Sequence, residues 1–127
     1  MKKYLTLLAL SGVCFALSSP TIALSKETPD LPYVEGLGYE VTPPDFSGTQ
    51  LYKYDSGWKH FLGGTWRHGV GSRYVWSHFD HQYKEHKTSV KGHGGQMSYS
   101  GWTPAKRRAS ASWEKAPYDN KAYADVK

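Results

Sequence analysis

Residues 103–116 read Thr103-Pro104-Ala105-Lys106-Arg107-Arg108-Ala109-Ser110-Ala111-Ser112-Trp113-Glu114-Lys115-Ala116, and two periods compete in them. Thr103-Pro104 looks like a helix N-cap and first turn, with Ala105, Ala109, Trp113 and Ala116 at helical spacing. Against this, Ala109, Ala111 and Trp113 alternate with Ser110, Ser112 and Glu114, the two-residue period of a strand buried on one face. Strand is the stronger of the two readings.

The sequence on either side has the same grammar. Thr65 to His68, Arg73 to Phe79, His86 to Lys91, Gln96 to Trp102, Arg107 to Glu114 and Lys121 to Val126 are candidate strands. Gly69-Val70-Gly71, Gly92-His93-Gly94-Gly95 and Tyr118-Asp119-Asn120 punctuate them with residues that tolerate positive φ or cap a turn. Six strands at roughly ten-residue spacing predict an all-β sandwich or small barrel. Composition agrees, since all ten Leu and the single Ile lie at or before Leu62, leaving rings, Val and Ala to fill the later core. Such residues suit a pleated sheet better than a helical bundle. Trp66, Trp76 and Trp113 are expected in that core.

The chain of 127 residues holds one small domain. Met1-Lys2-Lys3, the apolar run Leu5 to Leu17 and Ser18-Ser19-Pro20 make residues 1–25 a secretory signal peptide, with cleavage expected after Ser25. The run is too short for a spanning helix, and Val13 before Cys14 argues against a lipid anchor. Cleavage there leaves no cysteine, so dense aromatic packing, a metal or self-association has to replace disulfides.

Charge divides what remains. Residues 26–62 carry three Lys against six acids, and residues 63–127 carry eleven Lys plus Arg against five acids. The acidic part contains four prolines and no clean period, so it reads as a loosely ordered N-terminal arm, either a propeptide that masks the basic domain or a retained segment.

Catalytic patterns are sparse: no GxSxG elbow, no cysteine nucleophile and no evident carboxylate pair, so an enzyme is not expected. His78, His81 and His86 are the tightest of six histidines and are weak metal candidates, because spacing on a strand and turn does not make imidazoles converge; no metal or other cofactor is expected. The basic run Lys106-Arg107-Arg108, with Lys84, Lys87, Lys91 and Lys115, lies among Trp102, Trp113, Tyr99 and Tyr83. That mixture recognises phosphates beside flat or apolar groups. An exported protein meets anionic lipid head groups and pyrophosphate-linked wall precursors, not nucleic acid.

The run Gly63-Gly64-Thr65-Trp66-Arg67-His68-Gly69-Val70-Gly71, followed by Val75-Trp76-Ser77-His78, His86-Lys87-Thr88-Ser89-Val90, Ser100-Gly101-Trp102 and Asn120-Lys121-Ala122-Tyr123, resembles the lactococcin 972-type bacteriocins. The resemblance spans residues 63–127. It implies a secreted, extracellular antibacterial protein of Gram-positive bacteria, built as a β-sandwich of two antiparallel sheets. It also implies inhibition of related bacteria by binding the lipid-linked wall precursor (lipid II) and blocking septum formation, with an immunity protein and an ABC transporter in the producer. A secreted envelope-binding or adhesion module without toxicity is the alternative. Arg107 and Arg108 with Trp102 are the ligand-binding residues expected here, the guanidinium groups on pyrophosphate and the ring on sugar or lipid.

Overall fold

The structure is a computed structural model that describes residues 30–44 and 53–127. The expected signal peptide 1–25 and its cleavage site lie outside the described residues, as do 26–29 and 45–52 of the acidic segment. The described strands are β1 Tyr33–Val34, β2 Gly38–Val41, β3 Tyr54–Asp55, β4 Lys59–Phe61, β5 Gly64–Val70, β6 Tyr74–Asp80, β7 His86–Lys91, β8 Met97–Tyr99, β9 Ala109–Glu114 and β10 Lys121–Val126. They form two antiparallel five-stranded sheets. The first runs β1-β2-β10-β7-β8; the second runs β3-β5-β6-β9, with β4 also paired to β5.

All six strands expected from the sequence are present, and the disputed segment is a strand. Ala109 and Ala111 are buried while Ser110 and Ser112 are exposed. Their register places Ala109 opposite Phe79 and Ala111 opposite Ser77, so a small residue faces the large ring. The helical signal at Thr103-Pro104 amounts to one turn, in which Arg107 N–H bonds Pro104 O at 3.2 Å. Lys106 at φ 72° then turns the chain out of helical geometry.

Between the sheets lie Trp66, Val70, Val75, Phe79, Val90, Ala109, Ala111, Ala122 and Ala124. A polar chain crosses this core. Trp66 Nε1 donates to Ser77 Oγ at 2.7 Å, Ser77 and Thr88 hydroxyls are 2.5 Å apart, and Thr88 Oγ1 donates to Tyr123 O at 2.6 Å. Because the Thr88 proton goes to Tyr123, Ser77 is the donor in the middle bond. The chain joins β5 and β6 of one sheet to β7 and β10 of the other, satisfying polar groups that would be costly if left unpaired.

Of the tryptophans expected in the core, only Trp66 is there. On β6 the inward set is Val75, Ser77 and Phe79, so the two-residue period sends Trp76 to the outer face, where its ring lies across Gly69. A Cβ on Gly69 would sit 2.7 Å from Trp76 Cζ2 and 2.1 Å from Tyr54 O, so glycine is required there. Trp113 keeps the inward phase of β9 but comes near its end, packs over Gly92 and stays 39% exposed.

The segment before Gly63 supplies four short strands, two to each sheet. The β1–β2 hairpin pairs with β10 through Tyr39, Glu40 and Val41, while β3 and β4 share the outer edge of β5. Tyr39 meets Phe61 edge-on at 5.6 Å, and Phe61 packs on Trp66 at 4.7 Å, so this segment closes one flank of the core.

Candidate functional site

One end of the sandwich is built from the loop between β6 and β7, the segment 100–108 and the last residue. Backbone bonds join these pieces: His86 and Thr103 exchange N–H···O bonds of 3.1 and 2.8 Å, Lys106 N–H reaches His81 O at 2.7 Å, and Lys127 N–H reaches Glu85 O at 2.9 Å.

Two buried histidines pin this end from beneath. His81 Nδ1 accepts the N–H groups of Tyr83 and Lys84, both at 3.1 Å, so its Nε2 carries the proton given to Leu62 O at 2.9 Å. His86 Nδ1 and Nε2 face Lys84 O at 2.9 Å and Arg107 O at 2.7 Å. His78 instead lies on the outer face of β6, its Nδ1 2.8 Å from Ser110 Oγ. Its pKa is lowered, first by burial and then by the charges of Arg108 and Arg67, with Asp80 opposing. The three weak metal candidates therefore do not converge, and no metal-holding group of three or more His, Cys, Asp or Glu occurs among the described residues.

The structure separates the expected ligand-binding group. Arg108 forms a forked ion pair with Asp80, Nε–Oδ1 2.9 Å and Nη2–Oδ2 3.0 Å, and lies over the Trp58 ring at 4.8 Å. The hydrogen bond to Asp80 raises its pKa further. Arg67 is held in the same way by Asp55 and lies 5.9 Å from Trp58 and 5.7 Å from Trp76. This bond to Arg67, with the Gly57 N–H, pulls the Asp55 carboxyl down to about 2. Both guanidinium groups are thus engaged on the outer face of the second sheet, holding Trp58 against it.

Arg107 is exposed on the loop, as are Lys106 and Lys84, and none of the three has an acidic partner among the described residues. Asp80, His81, Gln82, Lys106, Arg107 and Arg108 line a shallow depression of about 350 Å³. With Asp80 and Arg108 paired, its uncompensated charge comes from Lys106 and Arg107. Trp102 stands on the adjoining part of this end, 41% exposed, with Lys87 Nζ 4.6 Å and Lys127 Nζ 5.4 Å from its ring. Tyr83, on the β6–β7 loop, is 85% exposed.

Two features of the surface escaped the sequence reading. Lys127 reaches the site only because β10 pairs along β7 and brings the chain's last residue to Glu85, its ion-pair partner at 3.4 Å. The cluster of Trp58, Arg67 and Trp76 needs the pairing of β3 and β4 with β5, which no local pattern announces.

No curated protein and no solved structure matches the chain. A family model does, over residues 62–124, and its description is Bacteriocin (Lactococcin_972). The matched span runs from the turn before β5 into β10, includes both pinning histidines and the basic loop, and leaves out β1 to β4. The domain formed by residues 62–124 of this chain belongs to the Lactococcin_972 bacteriocin family.

Proposed function

We propose that this bacteriocin is secreted, binds the lipid-linked wall precursor of related Gram-positive bacteria and blocks septum formation. The observation that carries this reading is the group Lys84, Lys106 and Arg107, three exposed cations without acidic partners on loops fixed by His81 and His86. Cations held in place beneath an open depression suit a pyrophosphate, whose oxygens accept charge-assisted bonds. Trp102 and Tyr83 supply area for the sugar or lipid part. Arg108 orients the rim through Asp80. The reading involves no bond-breaking step, and it carries the immunity protein and ABC transporter of the producer with it.

Of the two fates of the segment before Gly63, this reading takes retention in the acting product, supported by the pairing of β2 with β10 and the contact of Phe61 with Trp66. Removal of residues 1–25 alone is the expected processing, and intact mass of the secreted protein checks it. The functional test is Lys106→Ala with Arg107→Ala: a folded double variant should bind precursor-bearing neutral vesicles at least tenfold more weakly and lose inhibition of division sites under the microscope. Unchanged binding would remove the assignment.

A further inference from the structure

The same end carries features that a soluble pyrophosphate group does not need. Tyr83 is 85% exposed and Trp102 41% exposed, on loops whose backbones are tied together through His81, His86 and Thr103. Around them stand Lys84, Lys106, Arg107 and Lys127; of the carboxylates at this end, Asp80 pairs with Arg108 and Glu85 with Lys127. Asp125 lies opposite Lys87 in the β10–β7 register and is occupied by the hydroxyl of Tyr33 at 2.8 Å. The surface is therefore a cationic rim with two protruding amphipathic rings.

Rings of this kind settle at the head-group level of a bilayer, and clustered Lys and Arg gain from the negative potential of anionic lipids. We infer that this end docks the protein on an anionic phospholipid surface, with Tyr83 and Trp102 seated among the head groups and Lys84, Lys106, Arg107 and Lys127 facing lipid phosphates. The inference extends the proposed function, because it uses the same end, but it requires no wall precursor. Docking in this orientation presents the depression lined by Lys106 and Arg107 to the plane in which a lipid-linked pyrophosphate lies.

The test is sedimentation of the full secreted chain with precursor-free vesicles of phosphatidylcholine, with and without a third of phosphatidylglycerol. Binding should need the anionic lipid and fall at high salt. Lys84→Ala should weaken it about fivefold, the contribution of one cation near such a surface. Tyr83→Ala and Trp102→Ala should each weaken it severalfold, while Tyr118→Ala, an exposed ring in the loop at the other end of β9, should leave it unchanged. Circular dichroism of each variant reports folding, and Tyr83→Ala, on a fully surface ring, stays informative if Trp102→Ala is destabilised. Binding indifferent to phosphatidylglycerol, or equally reduced by Tyr118→Ala, overturns the docking surface. Binding to precursor in pure phosphatidylcholine then still tests the proposed function separately: a chain that binds there but ignores phosphatidylglycerol keeps the precursor site and loses this inference.

Discussion

His68 shows what a single side chain costs this small core. Its ring is buried beside Trp66 at 4.7 Å and Tyr54 at 6.3 Å, and its Nδ1 has no hydrogen-bond partner. Burial, then the charge of Lys59, pushes its pKa down to about 4, with Asp55 opposing. The folded chain holds this imidazole neutral while the unfolded chain takes up a proton near the ordinary value. Between roughly pH 6.5 and 4 the unfolded state therefore binds more protons, and stability is lost as pH falls through that window, by roughly 3 kcal/mol. Urea midpoints measured from pH 7 to 4 should fall more steeply for the native chain than for His68→Phe. Thr88 is as consequential. Thr88→Val removes both the acceptor of Ser77 and the donor to Tyr123 O, and should cost about 1–3 kcal/mol by the same denaturation measurement. At this scale the candidate site was half legible. Arg107 and Trp102 are exposed, as a basic and aromatic loop suggests, but Arg108, in the outward phase of Ser110, is taken by Asp80 of the neighbouring strand, a pairing that the local sequence does not announce.

Among the elements, legibility followed length except at β8, three residues long but announced by the glycine turn Gly92 to Gly95 before it. β5, β6, β7, β9 and β10 span six or seven residues, long enough for a two-residue period and a bounding turn to be recognised. β1 to β4 span two to four residues and owe their existence to partners far along the chain; Tyr33, for example, bonds Asp125, 92 positions away. No window on the acidic segment contains that information. The β1–β2 hairpin depends on Gly38, at φ 107°, where a Cβ would lie 2.4 Å from Ala124 O and 2.6 Å from Asp125 Cβ. Gly38→Val should detach the hairpin from β10 at a cost of roughly 2 kcal/mol or more. Hydrogen exchange locates the damage: the amides joining β10 to β2 should exchange faster, while those between β5, β6 and β9 keep their protection.

For the molecule as a whole, the division of charge in the sequence becomes a division of surface. Acids of the first segment meet bases of the domain, Asp55 with Arg67 and Glu40 with Lys121, while Lys84, Lys106 and Arg107, without acidic partners among the described residues, stand together at one end. Net charge predicted a basic domain; only the fold decides where the excess collects. Sheet boundaries add a separate property. The first sheet ends in β1 and β8, of two and three residues, and the outer flank of the second is split between β3 and β4. Such stubs offer few free N–H and C=O groups to a foreign chain, so three of the four margins resist templated growth. β9 is the exception, six residues long and partnered on one side by β6. If concentrated stocks form fibrils, they should start from β9, and Ser112→Lys, which places a charge midway along that margin, should lengthen the lag before thioflavin fluorescence appears while leaving the thermal midpoint nearly unchanged.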